Sequence, residues 1–237
     1  MRSGFYNNTI AKPLFGKIGT GRVYTTSKKE KQIMARKEIT GTTQQNDKKL
    51  HTRDLIYAGA FGAVYIVLML IVVLGTSAIP VLYILAPFTV GVVCATVYEL
   101  CVLKVHKFGP ALILGVLFAL VACSGNVLGM VLAVLAAMAA ELIIMAGKYK
   151  SRKMFLLSFL AFNLNMVCPY TMLYFHRDEF MARSVSFYGQ AFADELAKYA
   201  INGLAFIQIA LALIGAGIGV LIASKLIKKH FEKAGIV

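Results

Sequence analysis

The stretch HTRDLIYAGAFGAVYIVLMLIVVLG, His51 to Gly75, decides the fold. Beyond Arg53 and Asp54 it runs apolar for about twenty residues, roughly what one bilayer crossing needs. It reads as a membrane helix. In its first turns Ala58 precedes Gly62 by four residues and Gly59 precedes Ala63 by four. Two small-xxx-small ridges therefore lie side by side, where another helix can approach closely. Spacing alone serves packing within the protein's own bundle as well as docking of a second subunit.

Upstream of this stretch the chain is polar, and downstream almost all of it is apolar. Hydrophobic residues make up 59% of the 237, with a mean hydropathy of +0.72, too much for the interior of a soluble domain of this size. The net charge of +14 does not point to nucleic acid, because eleven Lys/Arg against three acids fall in the first fifty residues. Residues 1–50, which hold Met34 as a second candidate start, show no helical or strand period and no signal-peptide core. They are expected to form a basic, disordered cytoplasmic tail, and residues 51–237 a transmembrane domain.

Within that domain the apolar runs divide into six. After His51–Gly75 come Ile79–Leu103, two short helices within Ala111–Ala146 divided at CSGN (Cys123–Asn126), Met154–Phe175, and about Tyr199–Ile227. Pro80 suits a helix start, and Pro87 should kink or unwind a turn of the second run. No matching break is read in the second half. The expected fold is an all-α integral membrane protein, six transmembrane helices in one compact bundle. KVHK, GKYKSRK and the two ends are basic. GTSAIP and CSGN carry no charge, and in the polar loop His176–Lys198 acids outnumber bases. The positive-inside rule then puts both termini in the cytoplasm and that loop outside.

Little catalytic chemistry is legible. No phosphate-binding G-x-x-x-x-G-K-[ST], HExxH or GxSxG is present, so no enzyme activity, metal or cofactor is expected in this chain. Cys94, Cys101, Cys123 and Cys168 lie in apolar surroundings without CxxC spacing and read as core. Glu99 and Glu141 sit one to two turns from the basic ends of their helices. They read either as reaching out to Lys104 or Lys148 or as lining a proton or cation path. The stronger signal is the gathering of Asn126, Asn163, Asn165, Tyr170, Arg177 and Asp178 toward the outer half. Such groups serve helix contacts or a ligand held between helices under an external loop. The expected site lies between the outer ends of the fourth, fifth and sixth helices. Asn163 and Asn165 stand about 200° apart on a helix, so at most one faces a given cavity.

TRDLI (Thr52–Ile56), KVHKFG (Lys104–Gly109), AGKYKS (Ala146–Ser151), the RDE at Arg177–Glu179, YGQAFAD (Tyr188–Asp194) and above all the terminal KKHFEKAGIV together resemble the Trep_Strep family. The chain departs from it at Glu99 and Glu141, where relatives are often apolar or carry Asp. Members are classed as MptD-type substrate-capture (S) components of energy-coupling factor transporters. The resemblance implies a multi-pass protein of a prokaryotic plasma membrane that binds a small micronutrient outside. It also implies partners, a transmembrane coupling subunit and two ATPase subunits that hydrolyse the ATP. By the same resemblance Ala58, Gly59, Gly62 and Ala63 are the docking positions, and an outer-side micronutrient site agrees with the amide cluster read from the residues. The competing expectation is a stand-alone secondary transporter, which needs internal repeats or discontinuous helices.

Overall fold

A computed structural model describes residues 50–201 and 203–231. The readings of the basic tail and of the chain from Glu232 onward lie outside the described residues. Among those residues all regular structure is helical: α1 (Thr52–Thr76), α2 (Pro80–Ile84), α3 (Ala86–Lys104), α4 (Pro110–Ala122), α5 (Val127–Ala146), α6 (Arg152–Asn163), a 3-10 segment (Leu164–Tyr170), α7 (Thr171–Phe175), α8 (Arg177–Tyr188), α9 (Gln190–Tyr199) and α10 (Leu204–Leu226). Five helical stretches are long and apolar enough to cross a membrane: Thr52–Thr76, Ala86–Lys104, Val127–Ala146, Arg152–Phe175 and Leu204–Lys229. The remaining apolar helix, α4, has 13 residues. At 1.5 Å per residue it is about 20 Å long, short of a hydrocarbon core of about 30 Å.

Proline chemistry explains where the long runs break. The stretch Ile79–Leu103, expected as one kinked helix, is two, because Pro87 lacks the N–H that would continue the ladder across Leu85. The fifth run breaks as well. From Leu164 to Tyr170, around Pro169, it tightens to 3-10 geometry before α7 resumes, so a second break exists where the sequence shows only a proline. The polar loop His176–Lys198 is in fact a helical hairpin, α8 and α9, joined at Gly189. The last membrane helix consequently starts at Leu204 rather than Tyr199, which ends α9.

The chain runs back and forth between two ends. At the basic end Lys107 pairs with Asp54 at 2.9 Å, and Lys104 and Arg53 lie over the Tyr57 ring at 5.8 and 5.5 Å. In the same turn His106 stands edge-on to Phe155, and partial burial lowers its pKa. The opposite end carries the uncharged turns and the α8–α9 hairpin. Between them the core is aromatic: Tyr65, Tyr98, Phe118, Phe159 and Phe162 are fully buried, and the Tyr98 and Ser158 hydroxyls bond at 2.9 Å. The four cysteines are buried and free.

α3 and α10 form the tightest pair, crossing at Gly91, Gly215 and Gly219, so these small residues of the last helix serve a contact within the bundle. α1 is peripheral. Only 22% of its membrane window is buried, against 61% for α3, so most of its surface faces outward from the bundle.

Glu141 explains how so short a helix as α4 is accommodated. Its carboxylate, fully buried, accepts from the backbone N–H of Gly109 at 2.9 Å, Ala111 at 3.0 Å and Leu112 at 3.4 Å. Pro110 has no N–H to satisfy, and Gly109 takes a φ of +126° that favours glycine. A helix start that would otherwise expose polar groups to an apolar interior is thereby capped by its neighbour. Glu141 turns inward to α4 rather than outward to Lys148. Glu99 is equally buried, and its oxygens have no hydrogen-bond partner among the described residues.

Candidate functional site

Two adjoining cavities, of about 200 and 140 Å3, lie beneath α8 and share Tyr83, Ala122, Pro169 and Tyr188 as walls. The larger is closed by Ser124 and Asn126 from the turn between α4 and α5 and by Arg183 and Phe187 from α8. The smaller reaches down to Met69 and Val73 on α1 and to Met166. α10 lines neither. The expected position beneath the hairpin is thus occupied by a cavity, but its side walls come from the first, second and fifth runs rather than from the sixth. A wider groove of about 420 Å3, lined by Leu132, Val167, Phe175 and Ile209 among others, is almost wholly apolar, as befits a surface facing acyl chains.

The aromatic walls are held by one another. Tyr83 contacts Tyr170, Tyr188 and Phe192 edge-on, with ring centroids 5.4 to 6.0 Å apart, and Tyr188 lies over Phe192 at 4.6 Å. The Tyr170 hydroxyl donates to the carbonyl of Tyr83 at 2.5 Å, pinning the short α2 to the broken fifth run. Edge-to-face pairs of this kind add about 0.5–1.5 kcal/mol each beyond buried area.

The polar residues singled out from sequence separate into distinct roles. Asn126 caps α5, its Oδ1 accepting from Gly129 N at 3.0 Å, while its Nδ2 donates to Pro169 O at 3.2 Å and Thr171 Oγ1 at 2.9 Å. It borders the cavity but spends its bonds on the protein, satisfying carbonyls left over at the 3-10 segment. Asn163 is fully buried and donates to Pro87 O at 3.0 Å and Ala212 O at 2.8 Å, so it locks α6 to α3 and α10 at their crossing. Asn165, also fully buried, finds no hydrogen-bond partner among the described residues.

Arg177 donates to Ala197 O at 3.2 Å, tying α8 to α9, and lines a separate cavity beside Tyr174 and Gly203, while Asp178 is exposed and lines neither of the two cavities beneath α8. On α9 Lys198 hydrogen-bonds Glu195 and holds that carboxyl below its usual range.

The charged residue at the cavity is instead Arg183, which sequence reasoning passed over. Its spacing from Glu179 reads as an ordinary exposed i,i+4 ion pair, and that pair exists at 2.9 Å. Only the fold shows that the guanidinium crosses the turn at Gly125, where a Cβ would stand 2.8 Å from its Nη1. Tyr83 was similarly hidden, one aromatic in an apolar run.

The docking ridges also part company. Ala58 is fully buried, and a Cβ on Gly62 would stand 2.6 Å from Leu117 Cδ1, so the Ala58/Gly62 ridge is consumed by α4. Gly59 has nothing within 4 Å of its Cβ position and Ala63 is exposed, so the second ridge is bare.

A family model described as a hypothetical bacterial integral membrane protein (Trep_Strep) matches residues 52–233. No curated protein and no solved structure matches the chain.

Proposed function

The chain belongs to the Trep_Strep family of bacterial integral membrane proteins, and on that premise we propose that it is the substrate-capture (S) component of an energy-coupling factor importer. In this reading it spans the prokaryotic plasma membrane six times, holds a small micronutrient in the cavity beneath α8 on the outer side, and is neither an enzyme nor a cofactor protein. A separate coupling subunit and two ATPases supply the energy. The observation that carries the reading is the division of labour on α1, where one small-residue ridge packs inside and the Gly59/Ala63 ridge is left bare on a peripheral helix. Bare small residues on a lipid-facing helix are the means by which membrane helices approach closely.

The test follows from that division. Gly59→Leu with Ala63→Leu is expected to abolish co-purification with the coupling subunit and reduce uptake tenfold or more, while the melting temperature of the purified protein stays within a few degrees. Unchanged association in the folded double variant would move the interface off α1. Gly62→Leu, by contrast, should lower stability through its clash with Leu117.

Six crossings make a second expectation. Cysteines introduced singly at Ser124 and Ser186, in a background without the native four, should react with an impermeant thiol reagent added to intact cells, and one at Ser151 should not. If α4 re-enters instead of crossing, positions 124 and 151 exchange behaviour with respect to 107, and the labelling pattern shows it directly.

A stand-alone secondary carrier is the second reading. The broken helices favour it, since breaks in the second and fifth runs correspond in position within the two halves of the chain. Both breaks lie toward the hairpin end and are joined there, with Asn163 bonded to Pro87 O. Transport that persists without the ATPases would select this reading.

A further inference from the structure

Resting on the reading of this cavity as a capture site, we infer that its ligand is a small planar aromatic molecule bearing an anionic group, the ring packed against the wall that Tyr83 and Tyr188 form and the anion held by Arg183. The walls shared by the two cavities include the Tyr83 and Tyr188 rings, 6.0 Å apart at 60°, and Phe187 closes the outer side. Aromatic walls select a flat ring, because each edge or face they offer is satisfied by another π-system. Both volumes lie below the roughly 300–1,000 Å3 of pockets that take drug-sized ligands, so the ligand has one or two rings.

Charge decides the substituent. Arg183 lines the larger cavity, and no carboxylate is among the residues lining either. A guanidinium at the rim of an apolar chamber attracts an anion and repels an ammonium, and its fork fits a carboxylate or phosphate by two parallel bonds. Its present partner, Glu179, is 57% exposed and is not part of the cavity wall. Exposed pairs of that kind are worth little, so Arg183 exchanges Glu179 for a ligand anion at small cost. The exchange acts on α8, because the same guanidinium lies against Gly125 of the turn below. Gly125 has a φ of +77°, and a side chain there would meet the guanidinium, so the turn is kept bare at the point of crossing. An anion bridging Arg183 would hold α8 down on the turn. A neutral polyol is a poorer fit, since Asn126, the amide at the wall, already spends its hydrogens on Pro169 O and Thr171.

The experiment is native mass spectrometry of the full chain in detergent micelles with an equimolar mixture of benzoate, phenyl phosphate, cyclohexanecarboxylate, benzamide and benzylamine. Benzoate or phenyl phosphate, whichever anion the fork prefers, should bind at least tenfold more than the other three classes. Arg183→Gln should remove that preference tenfold or more, Arg183→Lys should restore part of it, and Tyr188→Leu should weaken the aromatic acids without favouring the saturated one. Equal binding of benzamide, benzylamine or cyclohexanecarboxylate, or an unchanged preference in Arg183→Gln, overturns the ligand class while leaving capture in place. If no probe binds, the class is overturned, and the Gly59/Ala63 docking result then separates the two readings: loss of the coupling subunit there keeps the capture component, and unchanged association removes it too.

Discussion

Gly219→Ala is expected to destabilise the bundle by about 3 kcal/mol, the upper end of what overpacking costs, although it adds a single methyl group. That Cβ would lie 2.1 Å from the carbonyl oxygen of Gly91 and 2.9 Å from Ala95 Cβ. A carbonyl of a helix cannot rotate aside as a side chain does, so α3 and α10 would have to separate along their whole contact. The strain would spread, because a Cβ at Gly215 already would stand 2.4 Å from Phe88 O, and Asn163 bonds both helices beside the crossing. Gly217 supplies the control on the same helix, two residues away, with nothing within 4 Å of its Cβ position. Gly217→Ala should be neutral or slightly stabilising, since alanine is the better helix former. Thermal unfolding in detergent compares the two, and equal melting temperatures would mean that the α3–α10 crossing is looser than this geometry.

Glu141→Leu should have a comparable effect by a different route. Leucine fills much of the space but leaves the N–H groups of Gly109, Ala111 and Leu112 facing an apolar interior without an acceptor. Each such orphan costs about 1–3 kcal/mol, so the start of α4 should fray even if the rest of the bundle survives. Glu141→Gln keeps one acceptor oxygen and should lose less. Glu99→Gln is the comparison on a neighbouring helix, because the Glu99 oxygens accept no hydrogen bond among the described residues and nothing is orphaned by the change. Hydrogen exchange at residues 109–112 reads the fraying directly. Protection there as strong in Glu141→Leu as in Glu99→Gln would show that the cap does not hold α4.

The contrast between these two glutamates shows why sequence reading stopped where it did. Both present the same pattern, one acid in an apolar run near a basic turn, and both invited the same pair of explanations. What distinguishes them is a partner some thirty residues away, the start of α4, which no local spacing encodes. Gly59 and Gly62 make the same point. They are three residues apart on one helix with equivalent small neighbours, yet one meets Leu117 and the other meets nothing. Arg183 and Tyr83 were invisible for the opposite reason, since each has an ordinary local explanation and gains its role from a turn or a ring contributed by distant segments.

By itself the sequence determined the class of protein, the helical content, the approximate position of the long apolar runs and the charge contrast between the two ends. These follow from composition and from the length an apolar run needs to cross a bilayer, both of which are local properties. It also marked Pro87 and Pro169 as irregular. Only the tertiary structure decided that the first irregularity separates two helices and the second opens a 3-10 turn, that the polar loop is a helical hairpin, and that the last helix starts after it. It alone divided the amides, giving Asn126 and Asn163 to the protein's own carbonyls. The physical reason is that a buried polar group or a bare glycine takes its meaning from what faces it, and in a bundle of packed helices what faces a residue comes from another part of the chain.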